Sequence, residues 1–203
     1  ARAASFLCLS SGFPVPCSTL GPSRKNPMTK DYYDPLSRLL HWLMAAVILY
    51  ATLAGYLMHL VIDSHPRLFQ FLSVLNMSMA TLITPLFLLR WGWRHWRAPL
   101  PEDKAEPHHP AARLAHALLY GLMCIVLLSG FLMLEQGYSL FWLYPVGNPI
   151  DVPEVNAFFF GVHRLGCLLL AALVLLHVAA ALYHHRIKGD RTLYRMLGPQ
   201  SER

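Results

Sequence analysis

Residues 156–183 read NAFFFGVHRLGCLLLAALVLLHVAAALY, an apolar run broken by one charge, Arg164, and by two imidazoles, His163 and His177. About 20 apolar residues in a helix cross a hydrocarbon core of about 30 Å, so the run is long enough to span a bilayer. A helix also satisfies its backbone polar groups within the segment, which lipid demands. Three further runs share this character: LSRLLHWLMAAVILYATLAGYLMHLV at about 36–61, LFQFLSVLNMSMATLITPLFLL at about 68–89, and ARLAHALLYGLMCIVLLSGFLML at about 112–134. With the last helix at about 156–183, the sequence predicts an all-α integral membrane four-helix bundle.

The 203 residues are 55% hydrophobic and 14% charged, where soluble domains average roughly 25% charged, so lipid is the solvent for most of the chain. Four spans leave only short loops and no second folded domain. The net charge of +6 could suggest nucleic acid, but the basic residues cluster beside the apolar runs, which excludes a nucleic-acid surface and points to orientation. Of the 17 Lys and Arg, all but Arg67 and Arg164 fall on the side holding the termini and the 90–111 loop. The positive-inside rule places both termini in the cytoplasm. Residues 1–27, with no initiating Met and an interrupted apolar stretch, read as a disordered leader, and 28–203 as the membrane domain, with Met28 as its natural start. The loop at 98–110 is polar and proline-rich. Cys124 and Cys167, with no CxxC pairing, read as small core residues.

Ionisable groups inside spans are expensive and mark function when they face a bundle interior. Five of the 11 histidines lie in spans: His41, His59, His116, His163 and His177. His163 and His177 stand 14 residues apart, which at 100° per residue returns to nearly one helix face about 21 Å further along. Neutral imidazole is a strong axial ligand for haem iron, and facing helices build such sites. His41 lies at the depth of His177, so a bis-histidine haem b could bridge the first and fourth helices. His163 needs a partner at the opposite depth, and two stacked haems would carry an electron across the bilayer. His116 is placed to bond a haem propionate or move a proton for a quinone. His184 and His185 fit contacts to lipid phosphate or propionate, and His95, His108 and His109 take no role. Gly55, Gly130 and Gly166 would allow close approach of a flat macrocycle or plain helix packing.

The segments YDPLSRLLHW (33–42), HRLG (163–166), LHVAAALYHH (176–185) and KGDRTLYRML (188–197) resemble the bacterial cytochrome b561 pattern, from Tyr33 to Leu197. That resemblance implies four helices holding two b-haems and exchanging electrons with the quinone pool of a respiratory chain in the bacterial inner membrane. It implies His41 and His177 as ligands of the cytoplasmic-side haem iron and His163 as one ligand of the outer haem. The sequence departs at Asn76, where the family pattern expects a histidine, so the number of haems is one or two. His59 is the candidate substitute, placed at about the depth of Asn76, with Met77 and Met79 behind it. Arg164 would pair with a propionate or attract an anionic reductant. Electron carriage is the leading expectation. The others are a superoxide-oxidising quinone reductase, a haem-bearing anchor for a separate redox protein, and a non-haem metal-binding bundle.

Overall fold

A computed structural model describes residues 32–96, 110–190 and 192–198. The expectations for the 1–27 leader and for the 98–109 loop, His108 and His109 included, lie outside the described residues. Four helices are long and apolar enough to cross a membrane: α1 (Pro35–Val61), α2 (Pro66–Trp96), α3 (Pro110–Leu132) and α4 (Pro153–Tyr183), the last running on into a π-helical turn at His184–Lys188. Each opens on a proline, where the missing N–H costs nothing because the first helical amides have no intrahelical acceptor. A two-stranded antiparallel hairpin, β1 (Tyr138–Leu140) and β2 (Tyr144–Val146), joins α3 to α4. A short α5 (Thr192–Leu197) closes the described chain.

The second span outruns its expected end at 89. Once α2 leaves the apolar region, Arg90, Trp91, Trp93 and Trp96 suit the interface, and nothing breaks the helix until Trp96. Side-chain hydroxyls in the spans bond back to the preceding turn: Thr52 to Ile48, Ser78 to Val74, Thr81 to Met77, Thr84 to Ala80 and Ser129 to Ile125. No hydroxyl is therefore left bare to lipid at these positions. Outward faces carry exposed Leu53, Leu60, Phe158, Leu175 and Leu176, an apolar exterior that only a membrane would cover. Cys124 lies on that exterior and not in the core, a correction to the sequence reading; Cys167 is half-buried.

Close backbone packing is concentrated within two hairpins, α1 with α2 and α3 with α4. Between the hairpins long side chains meet instead, with Met44, Ile83, Phe87, Met123 and Leu170 forming the main core. A bundle built this way has room between hairpins and little within them.

Two caps fix the ends. Asn156, 2% exposed, donates from Nδ2 to the carbonyls of Leu132 (2.8 Å), Leu134 (2.8 Å) and Ile150 (3.2 Å), tying the end of α3 to the start of α4. Asn156→Ala leaves those acceptors bare and is expected to cost about 1–3 kcal/mol. Thermal unfolding in detergent would show it as a lowered Tm, and an unchanged Tm would remove the cap from the account. At the other end Asp34 caps α1, accepting from the Ser37 amide (2.9 Å), the Ser37 hydroxyl (2.7 Å) and Trp93 Nε1 (3.0 Å) of α2. Burial works to raise its pKa, but the hydrogen bonds from Ser37 and Trp93 outweigh it and hold the carboxyl below its ordinary 3.8. A carboxylate depressed on folding stabilises above its unfolded pKa and loses that contribution as pH falls through the folded one. Asp34→Ala is therefore expected to cost about 1 kcal/mol near neutrality, the gap from wild type closing in melts below about pH 4. A gap independent of pH would contradict the assignment.

The described chain after residue 190 folds back on the start of α1. Arg38 Nη1 donates to Leu197 O, Trp42 Nε1 to Met196 O (both 3.2 Å), and Tyr33 N to Arg195 O (3.1 Å). The start of α1 and the end of the described chain thus lie on one side of the bundle. Here that side is called the basic end, and the other the hairpin end. At the hairpin end Phe141 (φ 47°) and Trp142 (φ 62°) form the turn between the strands, a conformation non-glycine residues rarely adopt. Ser78 Oγ accepts from Phe141 N at 2.8 Å, and Trp142 stacks on Phe71 at 5.2 Å, which holds the strained turn against α2.

Candidate functional site

At the basic end each of the four helices supplies one nitrogenous side chain to a common level: His41 from α1, Arg90 from α2, His116 from α3 and His177 from α4. Arg90 Nη2 lies 3.1 Å from His41 Nδ1, and Arg90 Nε donates to Tyr120 Oη at 3.0 Å. The rings of His116 and His177 meet edge to face with centroids 5.6 Å apart. His41 is within electrostatic reach of Arg90, His177 and His116, and His116 of Arg94 as well. Arg94 sits over the Tyr120 ring at 5.2 Å. Arg90 Nη1 is buried and has no hydrogen-bond partner among the described residues. The level thus combines three imidazoles with the Arg90 and Arg94 guanidiniums.

The level above, toward the hairpin end, is different. His163 lies against α3, its Nδ1 3.0 Å from Val126 O and 3.3 Å from Ser129 Oγ, its Nε2 3.4 Å from Cys167 Sγ. A Cβ on Gly130 would stand 3.1 Å from the His163 ring, so this glycine makes room for the imidazole. A Cβ on Gly166 would stand 3.1 Å from Val126 Cγ2, so this glycine lets α4 approach α3 closely, whereas one on Gly55 would meet nothing. His163 and His177 both face α3, as their 14-residue spacing requires. Asn76 and Arg90 are also 14 residues apart on α2, so Asn76 shares the face of Arg90 about 21 Å above it. Its Oδ1 is buried with no partner among the described residues.

His59 does not reach this level. It is exposed and stands two residues from the end of α1, whereas Asn76 lies ten residues into α2, an offset of about 12 Å along the axis. Arg164 is exposed on α4. Met77 is buried in the core and Met79 half-buried on α2. His184 bonds Asp190, and His185 packs edge-on to Tyr194 at 4.8 Å.

A model of the prokaryotic cytochrome b561 family matches residues 32–199, the whole described bundle. The chain belongs to that family. It is also similar to cytochrome b561 homolog 2 of Escherichia coli K12, 29% identical over 180 residues that cover 85% of this chain and 95% of that protein. Membership makes it a bacterial membrane protein of electron transport carrying b-type haem. The residues at the basic end fit such a group on their own chemistry: imidazoles converge from different hairpins, where the backbones leave room, and an orphaned buried guanidinium awaits a carboxylate.

Reading the sequence for imidazoles missed Arg90 and Tyr120. A basic residue at the end of a span looks like an interface anchor, and Arg90 ends the second apolar run. Its 14-residue distance from Asn76 was the available sign that it faces inward. Ser129 and Cys167 carried no such sign, since both are common in helix packing.

Proposed function

We propose that this cytochrome b561-family chain carries one haem b at the basic end, with His41 and His177 as its axial ligands. It would pass electrons between the quinone pool and a redox partner at the surface of the bacterial inner membrane, both termini in the cytoplasm. The convergence of one side chain from every helix on a single level supports this reading best. The ligand pair is drawn from different hairpins for a physical reason. His116 and His177 belong to α3 and α4, whose backbones pack closely and whose rings already touch, whereas His41 is within electrostatic reach of His177 from the other hairpin, and between the hairpins long side chains meet instead of backbones. His116 is then left to bond a propionate or to carry the proton that accompanies quinone chemistry. A bis-imidazole iron porphyrin changes oxidation state by one electron with its ligands retained, which suits a carrier.

At the level of His163, no second imidazole stands beside it among the described residues. A carboxamide is a poor ligand for haem iron, so Asn76 supports a single haem. The test pairs pyridine haemochrome absorbance with independent protein quantitation, followed by addition of a ubiquinol analogue. About one haem per polypeptide, reduced by the quinol, is expected. Haem that quinol leaves oxidised would sever the quinone link, and a ratio near two would overturn the single site.

A further inference from the structure

Arg90 and His41 hold a chemical contradiction that points to how the site is loaded. A guanidinium only donates hydrogen bonds, so at 3.1 Å His41 Nδ1 must present its lone pair to Arg90 Nη2. The neutral ring's proton then sits on Nε2. One ring nitrogen is covered by Arg90 and the other carries hydrogen, so neither can take a metal. His163 shows the opposite arrangement: the Val126 carbonyl only accepts, which puts the proton on Nδ1 and the lone pair on Nε2. His41, a proposed iron ligand, is therefore held in the tautomer that cannot ligate.

The same guanidinium is incompletely paired. Nε is braced by Tyr120 Oη, Nη2 by His41, and Nη1 is buried with no partner. Asp34, the carboxylate at the start of α1, is taken by Ser37 and Trp93. The arginine fork matches a carboxylate in two parallel hydrogen bonds, and buried charge left unpaired is costly.

Building on the haem reading above, we propose that Arg90 is a positioning residue that couples ligation by His41 to recognition of a carboxylate on the incoming macrocycle. With no carboxylate present, Arg90 caps Nδ1 and holds His41 closed. When a carboxylate arrives, the guanidinium leaves Nδ1 for it, the imidazole proton moves from Nε2 to Nδ1, and the Nε2 lone pair becomes free. No net proton is gained or lost. Tyr120, bonded to Nε, is the pivot on which the group turns. Arg90 would thus do more than anchor an acidic group: by turning to it, the guanidinium would free His41.

The test compares ferric haem b with its dimethyl ester, in which both carboxylates are blocked, using full-length apoprotein purified in detergent. Wild type is expected to bind the free acid about ten- to a hundredfold more tightly than the ester, the range of a charge-assisted bond to a buried group. In Arg90→Met the free acid loses about tenfold or more, while the ester binds at least as well as to wild type, because nothing then covers Nδ1. Arg90→Lys, which keeps the charge without the fork, should restore part of the preference. A merely structural arginine would weaken both ligands together. Equal binding of acid and ester to wild type, with a low-spin bis-imidazole spectrum, would overturn the role of Arg90 and leave the ligand assignment standing. So would a preference that survives in Arg90→Met. Absence of a low-spin spectrum with either macrocycle would sink the ligand assignment itself, and this inference with it.

Discussion

Alanine at His177 is expected to strip the purified protein of its low-spin Soret spectrum and bring haem content to background. Axial ligands contribute more than the groups that orient them, and loss of an orienting group alone costs a metal site about ten- to a hundredfold in affinity. His41→Ala should do the same, since His41 supplies the only imidazole of α1 at the basic end, the other, His59, being exposed at the hairpin end. His116→Ala separates this account from its rival. His116 shares the level and touches His177 at 5.6 Å, so proximity alone would make it an equal candidate. It lies, however, on the helix packed most closely against α4, which leaves the less room between them. The variant should keep a low-spin haem near wild-type amount, with a changed pH dependence of its reduction potential. Haem loss in His116→Ala with retention in His41→Ala would transfer the ligand role from α1 to α3.

The spans were readable because lipid leaves the chain few choices. Apolar length sets helix existence, and the starts of α1, α3 and α4 fall where Pro35, Pro110 and Pro153 dictate. The end of α2 was not readable from hydropathy, since a helix in the interface needs no apolar side chains to continue to Trp96. The return of α5 onto α1 depends on Arg38 and Trp42 donating to carbonyls more than 150 residues away, at 196 and 197. No local pattern encodes such bonds. Within the candidate site, His41, His163 and His177 stand out in the sequence because an imidazole in a span is conspicuous and the helical period fixes its face. Arg90 was hidden by its position: the features that make a cation suitable as an interface anchor also make an inward-facing one look ordinary. His59 shows the converse error, a conspicuous residue whose depth was judged from the end of a span when the offset of about 12 Å between α1 and α2 decides it.

A histidine at position 76 should raise the haem content from about one to about two per polypeptide. Asn76 stands on the face of α2 that also carries Arg90, about 21 Å further along, just as His163 stands above His177 on α4. The two helices therefore repeat the same vertical step, and among the described residues no second imidazole joins His163 at the hairpin-end level. His163 is already in the required tautomer, its Nδ1 proton on the Val126 carbonyl, with Nε2 facing nothing stronger than the Cys167 thiol. A thiol is a weak donor, so iron should displace it, and Cys167→Ala combined with Asn76→His should load more completely than Asn76→His alone. The unpartnered Asn76 carbonyl oxygen is lost in the exchange, which removes a cost from the folded state. In the wild-type background, the single-haem proposal expects His163→Ala to leave the ratio at about one. Loss of half the haem in His163→Ala would show instead that wild type already carries a second haem. In that case the missing donor must come from a residue other than Asn76, and adding histidine at that position would change the second haem's spectrum without changing its amount.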